Sequence, residues 1–368
     1  TADELYIKPS GVALSTIAAE QFIKMRRAAI ATAFAQELPA EAQAREAAVK
    51  RLMAAAVSPE TPGRPSVEAP LHESIPYAYV VHMHPALVNG MTCAVDGAAA
   101  CARLCPDALW IDYVDPGYTL AMKVRESLEV YQAEHDRAPH MLVLQNHGVF
   151  VAADSVAEID ELYAGLMQAL RQAYAEAGVE TGWCPAALDA ATVQQTAPPL
   201  RARLQPVPGA RVVVHAGGWF PPATGPLTPD HIVYAASFAF IGTPTAGALA
   251  EFRAAHDYTP RVVAVPEKAV FAAADTLKQA RLTLTAAADA ARVARLTTAF
   301  GGPRWLDERE YRFIENWEVE SYRRKVAASD GVGRMRNRVV LVTGGAQGFG
   351  LGIARALADE QAMVILAD

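Results

Sequence analysis

The sequence predicts an α/β protein built from three successive parts, residues 1–195, 196–334 and 335–368. Three observations carry this prediction. Short runs rich in β-branched and aromatic residues ("YAYVVHMH", "RVVVHAG", "RVVAVPE") alternate with longer stretches whose apolar residues are spaced as on helices. A Pro-rich stretch, "AALDAATVQQTAPPLRARLQPVPGA", separates the first part from the second and has the composition of a linker. The last part reads strand, glycine-rich turn, helix, strand.

Each element follows from local pattern. "LYIKPSG" predicts a short strand running into a turn, and the Ala-rich residues 13–56 predict helices. "SPETPGRPS" is a loop punctuated by Pro and Gly. The strand "YAYVVHMH" follows, then a helical "PALVNGMTCAV" and a mixed region through "LWIDYVDPGY". A helix near 119–135, one strand "HMLVLQNHGVFVA" and a long helix near 155–178 complete the first part. The second runs from about Arg211 to Gly331. In it "TPDHIVYAASFAF" opens a helix, with Thr228 as N-cap and Pro229 at the first helical position. No fixed-period internal repeat is visible.

Composition narrows the function. A chain of 368 residues with 52% hydrophobic content can bury two or three cores. A net charge of -7 excludes a general nucleic-acid binder, which needs a basic face. No apolar run reaches the length of a membrane span, and no signal-peptide pattern opens the chain. Four cysteines are not a disulfide framework, so a reducing cytoplasm is expected; Cys101 and Cys105 fit helix packing better than a metal site. Residue 1 is Thr, and the final motif starts and stops short, so a longer parent polypeptide is expected.

The candidate chemistry begins at "YVVHMHPALVNG". Alternate strand residues share a face, so His82 and His84 point the same way. Two imidazoles so close are costly as cations but well suited to sharing a divalent metal as neutral ligands. His147 in "LVLQNHGVFV" is the best third ligand, because Gly148 after it permits close backbone approach. Three histidines leave a coordination position open, as catalytic zinc sites do.

"RPSVE", "VVHMHP" and "QNHGVFV" together resemble the class II aldolase/adducin family over about residues 4–180. The resemblance implies a three-layer class II aldolase-like domain, followed by a smaller α/β connecting domain and the first β-α-β piece of a Rossmann domain. It implies zinc (or another divalent metal) on His82, His84 and His147, and Glu68 as the catalytic acid/base. It also implies a substrate loop at Ser10 and Gly11 with Ser66 beside it. The implied activity is cleavage of a sugar or sugar phosphate through a metal-stabilised enediolate, in a homo-oligomeric, cytoplasmic enzyme. A metal-dependent epimerase or dehydratase, or a non-catalytic adducin-like module, are the alternatives on the same fold. The chain departs from the pattern where phosphate aldolases have two serines before the glutamate, since Val67 follows Ser66. The family's Gly-Asn-x-Ser loop is absent, and no tyrosine acid follows the second histidine; Tyr113 is the nearest aromatic hydroxyl. His72 is expected to line the site, while His231 reads as part of a helix start.

"RNRVVLVTGGAQGFGLGIARAL" sets a strand before Thr343, Gly344, Gly348 and Gly350 and a helix after them. That context brings a pyrophosphate to a helix N-terminus, and Asp368 after the second strand favours NAD over NADP. It resembles the start of short-chain dehydrogenases. The order of blocks, including "FGGPRWLDEREYRFIENWEVESYRRK", resembles bifunctional aldolase/dehydrogenase proteins, with the dehydrogenase activity expected in the parent.

Overall fold

The computed structural model describes residues 1–205, 212–317 and 333–368. It divides into two compact units: Thr1–Trp183 with Gly225–Val233 and Asp289–Arg323, and Cys184–Thr224 with Tyr234–Ala288 and Arg324–Asp368. Arg211, the expected start of the second part, and the end of "ENWEVESYRRK" after Trp317 lie outside the described residues. Among those described, no helix is long and apolar enough to cross a membrane.

The first unit opens with an antiparallel pair, β1 (Glu4–Ile7) and β2 (Ile23–Arg26). Helices were expected throughout residues 13–56. Instead Ile23 and Met25 are buried while Arg26 is exposed, a period of two that decides for a strand once β1 is present to pair with it. Helices Arg27–Phe34 and Ala42–Ala56 follow as expected.

The central sheet contains β3 (Tyr79–Met83), β4 (Leu109–Ile111), β5 (Met141–Leu144) and β6 (Gly148–Ala153) in the order β3-β6-β5-β4. Only β4 and β5 pair in parallel. Every residue of β6 is buried, and alternate residues serve different layers. Val149, Val151 and Ala153 face a core with Val88, Met91, Leu166 and Leu170. Phe150 and Ala152 face another with Leu71, Leu120, Val124 and Leu128. Two covered faces make the unit a three-layer α/β structure. "HMLVLQNHGVFVA" was expected to be one strand and is two, because Asn146 takes φ 54° and Gln145–His147 turn the chain between β5 and β6. Asn tolerates that left-handed geometry better than other residues with a β-carbon.

In the second unit the expected linker is largely a helix, Ala190–Arg203, despite Pro198 and Pro199 inside it. The Asp189 carboxylate caps it by accepting from the backbone N–H groups of Ala191 and Thr192, and Leu200 is fully buried. Capping and burial outweigh the two lost backbone donors. The sheet here contains β7 (Val213–Gly218), β8 (Phe240–Ile241), β9 (Val262–Val265) and β10 (Ala269–Ala274) in the order β7-β10-β9-β8.

That sheet repeats the topology of the first, strand for strand, including the single parallel pair. The sequence repeats with it. "AEHDRAPHMLVLQNHGVFVAADS" (133–155) and "AAHDYTPRVVAVPEKAVFAAADT" (254–276) share His-Asp, Pro, Val-Phe and Ala-Ala-Asp at equal spacing. Asp136 and Asp257 both close a helix with positive φ (53° and 60°), and Asn146 and Glu267 both turn a hairpin with positive φ (54° and 61°). The two sheets are an internal duplication. A single diverged copy has no fixed period, so periodicity did not reveal it.

The last piece is β11 (Val339–Thr343) parallel to β12 (Met363–Ala367), joined by helix Gly348–Asp359, as expected.

Glycine positions test the packing of the first unit. A β-carbon at Gly90 would strike the Tyr174 hydroxyl and Leu296, whereas one at Gly165 meets nothing within 4 Å. Gly90→Ala is expected to cost about 1–3 kcal/mol, while Gly165→Ala, inside helix Val156–Glu176, adds about 0.5–1 kcal/mol through helix propensity. Urea unfolding of the two variants beside the parent measures both signs.

Candidate metal centre

β3 ends at Met83, so His82 is its penultimate residue and His84 stands just past it. Their Nε2 atoms lie 2.9 Å apart. His147 occupies the turn between β5 and β6, whose closing bond is His147 N–H to the Leu144 carbonyl. Gly148 then lets the His84 ring sit over the turn: a β-carbon there would strike that ring and lie 2.6 Å from the Met83 carbonyl. Glu68 precedes helix Ala69–Ser74 and brings Oε1 to 3.2 Å from His82 Nε2 and 3.5 Å from His147 Nε2. One ligand atom from each of Glu68, His82, His84 and His147 lies within 4.8 Å of the other three.

This donor set fits a divalent ion. Ligand atoms held tetrahedrally at about 2.0–2.1 Å from zinc sit roughly 3.3 Å from one another, and the contacts here are 2.9, 3.2 and 3.5 Å. The outer nitrogens are also committed. His82 Nδ1 is 3.1 Å from the Val149 carbonyl, and His84 Nδ1 is 2.8 Å from Asp230 Oδ2. With Nδ1–H donating outward on both rings, each Nε2 keeps its lone pair for the common point. His82 is further fixed by stacking on Phe150, at 3.8 Å between centroids.

Electrostatics agree with the geometry. Burial pushes the Glu68 carboxyl up, but His82 and His147 beside it outweigh burial and hold it well below the usual carboxylate range. Burial lowers His147 to about 4, against which Glu68 pulls only partly. At neutral pH the site therefore offers a carboxylate and a neutral imidazole, the forms that bind metal. His72, one turn along from Glu68 and edge-on to Phe150, is also lowered by burial, to about 4.

Asp230 is the residue that sequence reasoning missed. It sits in the helix Pro229–Ala235, whose start is marked as expected by the Thr228 hydroxyl accepting from His231 N–H. "TPDH" offered only a helix start as a signal, in a segment assigned to the second part of the chain. In the structure Gly225–Val233 belongs to the first unit. The amide of Asn146 holds it there: Nδ2 donates to the carbonyls of Leu227 and Arg304, and Oδ1 accepts from Arg304 Nη1. His231 itself bonds Asp289 through Nε2.

The expected substrate loops lie side by side. Pro9 and Pro65 form a β-bridge, Ser10 N–H donates to the Arg64 carbonyl, and Ser66 N–H donates to the Lys8 carbonyl. Gly11 takes φ 84° in the turn. Ser66 Oγ accepts from the Glu68 N–H and so helps fix the backbone that carries Glu68. Ser10 Oγ is buried without a partner among the described residues. Tyr113 lies under the Arg304 guanidinium, 5.3 Å from its ring centroid, and is absent from the lining of the cleft around the cluster.

In the second sheet the register puts Ala216 opposite Phe271, where the first has His82 opposite Phe150. Gly218 and Lys268 take the places of His84 and His147. The duplicated sheet lacks the three imidazoles.

In the terminal piece, Gly344 and Gly348 have φ of 62° and 54°, and a β-carbon at Gly350 would strike the Gly344 carbonyl. Thr343 ends β11, and Asp368 follows β12. This glycine-lined turn fits the cradle that a dinucleotide pyrophosphate requires.

Comparison with known proteins places the first unit. Residues 1–174 match the family model for the Class II Aldolase and Adducin N-terminal domain. A stretch of 89 residues is 30% identical to a Bacillus subtilis protein described as an uncharacterized oxidoreductase, YuxG. That match covers 23% of this chain and 12% of the relative's length. A solved structure, the N-terminal class II aldolase domain of a conserved Thermoplasma acidophilum protein, is 23% identical with a TM-score of 0.39. The match covers 46% of this chain and 74% of that one.

Two outcomes follow from this geometry. Asp230→Asn keeps the shape but loses the charged acceptor behind His84, and is expected to weaken zinc affinity about 10–100-fold, read by competition with a chelator. The second concerns pH. His72 and His147 are depressed in the fold, so the unfolded chain binds more protons between their ordinary value near 6.5 and about 4. Stability of the metal-free protein is therefore expected to fall as pH drops through that window. His72→Leu should flatten the slope of urea-unfolding free energy against pH, and an unchanged slope would remove His72 as a contributor.

Proposed function

We propose that the class II aldolase/adducin domain in residues 1–174 is a divalent-metal lyase that cleaves a carbon–carbon bond of a sugar or sugar phosphate. The observation that carries this is the convergence of Glu68, His82, His84 and His147 on one point, with outward partners on His82 and His84. A bound zinc or similar ion would act as a Lewis acid and stabilise the negative charge that develops on the substrate's oxygens.

The protein's residues supply the rest. His82, His84 and His147 would hold the ion, and Glu68 would move protons. In retro-aldol cleavage a hydroxyl beside the scissile bond loses its proton, the bond breaks, and the carbon that keeps the electron pair regains a proton. A carboxylate beside the reacting atoms can take the first proton and return one. Ser66 fixes the backbone under that carboxylate by accepting from the Glu68 N–H. Ser10 and Gly11, beside the Arg64–Ser66 segment that leads into Glu68, are the proposed substrate loop, although they do not line the cleft itself. The duplicated sheet, with Ala216, Gly218 and Lys268, would hold no second ion.

The glycine-lined turn supports an NAD-binding start at Thr343, Gly344, Gly348 and Gly350, with Asp368 as the proposed partner of the ribose hydroxyls.

Glu68→Gln separates proton transfer from metal binding. The variant should keep zinc while carbon–carbon cleavage falls about 10²–10⁴-fold, whereas His147→Ala should lose most of the bound zinc. Metal content by mass spectrometry and a coupled assay of aldehyde release measure the two effects. Near-normal cleavage by Glu68→Gln would point to another proton carrier.

A further inference from the structure

Trp317 ends the helix Glu308–Asn316 and is 6% exposed. It lies in the "ENWEVE" segment, outside the residues that match the family model. Its indole Nε1 is buried and has no hydrogen-bond partner among the described residues. Trp317 also lines the cleft that Glu68, His84, His147 and Asp230 line.

An unpaired buried donor is unusual, because burial strips its water and gives no partner in return. The direction of the ring explains where a partner would stand. A β-carbon on Gly117, another residue of the cleft wall, would lie 2.7 Å from Trp317 Cζ2. Cζ2 and Nε1 are both bonded to Cε2, so the N–H belongs to the part of the ring that adjoins this contact. Glu46 stands on the same side, with Oε2 2.8 Å from that β-carbon position and Oε1 accepting from the Tyr118 N–H, but it does not bond the indole. Gly117 at φ 99° keeps this wall free of a side chain. The free core of the cleft is about 20 Å³, room for roughly one water-sized group. A substrate must therefore widen it, and this indole is one of the wall groups it meets.

We infer that Trp317 is a specificity-determining residue whose indole N–H donates a hydrogen bond to an oxygen of the polyhydroxylated substrate beside the metal centre. The inference rests on the lyase assignment above. An indole is a donor only, so it selects hydroxyl, carbonyl or carboxylate oxygen and leaves an analogue without that oxygen facing an unpaired buried N–H. It adds a neutral donor to a wall otherwise made of carboxylates, imidazoles and apolar groups.

The test uses the whole chain loaded with zinc, with glycolate as the probe because it carries a hydroxyl and a carboxylate on adjacent carbons. With ¹⁵N-labelled indoles, the signal missing from Trp317→Phe identifies Trp317 among the five tryptophans. Glycolate should move that N–H proton signal downfield, and Trp317→Phe should weaken glycolate binding about tenfold with zinc content unchanged. Propionate, which lacks the hydroxyl, is the control and should bind the two proteins with a smaller difference. Glycolate binding that leaves the indole signal still and is equal in Trp317→Phe overturns the inference while the lyase assignment stands. A loss confined to thermal stability, with affinity unchanged, makes Trp317 a packing residue and also overturns it. If the parent chain binds no zinc, the lyase assignment fails, and this role for Trp317 fails with it.

Discussion

The amide of Asn146 is the constraint on which the rest of the site depends. It bonds the carbonyls of Leu227 and Arg304 and accepts from the Arg304 guanidinium, while its backbone N–H donates to the Thr92 carbonyl. The residue is fully buried with φ 54°. One side chain thus shapes the turn that presents His147 and fastens the segment that presents Asp230. Arg304 is held in turn by a paired contact with the buried Glu310 carboxylate, at 2.8 and 3.3 Å. Burial makes this network consequential, because any member removed would leave its partners unpaired.

The site is layered outward from that framework. Strand β3 is rigid because it pairs along its length with β6, and β6 is buried on both faces. A rigid strand end is a good place for two ligands that must point at one ion. The outer partners on His82 and His84 differ in kind: one is a backbone carbonyl fixed by the sheet, the other a carboxylate from a distant segment. The first is present in any chain that forms this hairpin. The second exists only when residues 225–233 dock.

The duplication shows the same principle from the other side. Both sheets keep the helix cap at an Asp with positive φ, the positive-φ hairpin and the Val-Phe core pair. These features determine how the chain turns and packs, so two copies with different chemistry share them. The ligand positions do not determine folding, and they differ: imidazoles in one copy, Ala216, Gly218 and Lys268 in the other. Topology and chemistry are separable in this chain because they are written on different residues.

The sequence by itself determined the α/β class, the strand ends bearing His82 and His84, and the β-α-β unit at Thr343–Asp368. Each depends on short-range rules: strand alternation, Pro and Gly turns, and a glycine-rich strand-to-helix junction. Tertiary structure decided what those rules cannot reach. Strand β2 exists because β1 stands beside it, so pairing outweighs the helix propensity of an Ala-rich stretch. The helix Ala190–Arg203 survives two prolines because Asp189 caps it and Leu200 is buried. Asp230 reaches His84, 146 residues away in sequence, and Trp317 reaches the same cleft. Neither carries a local signal, since a contact between distant segments depends on the packing of the whole unit and not on the identity of the neighbours along the chain.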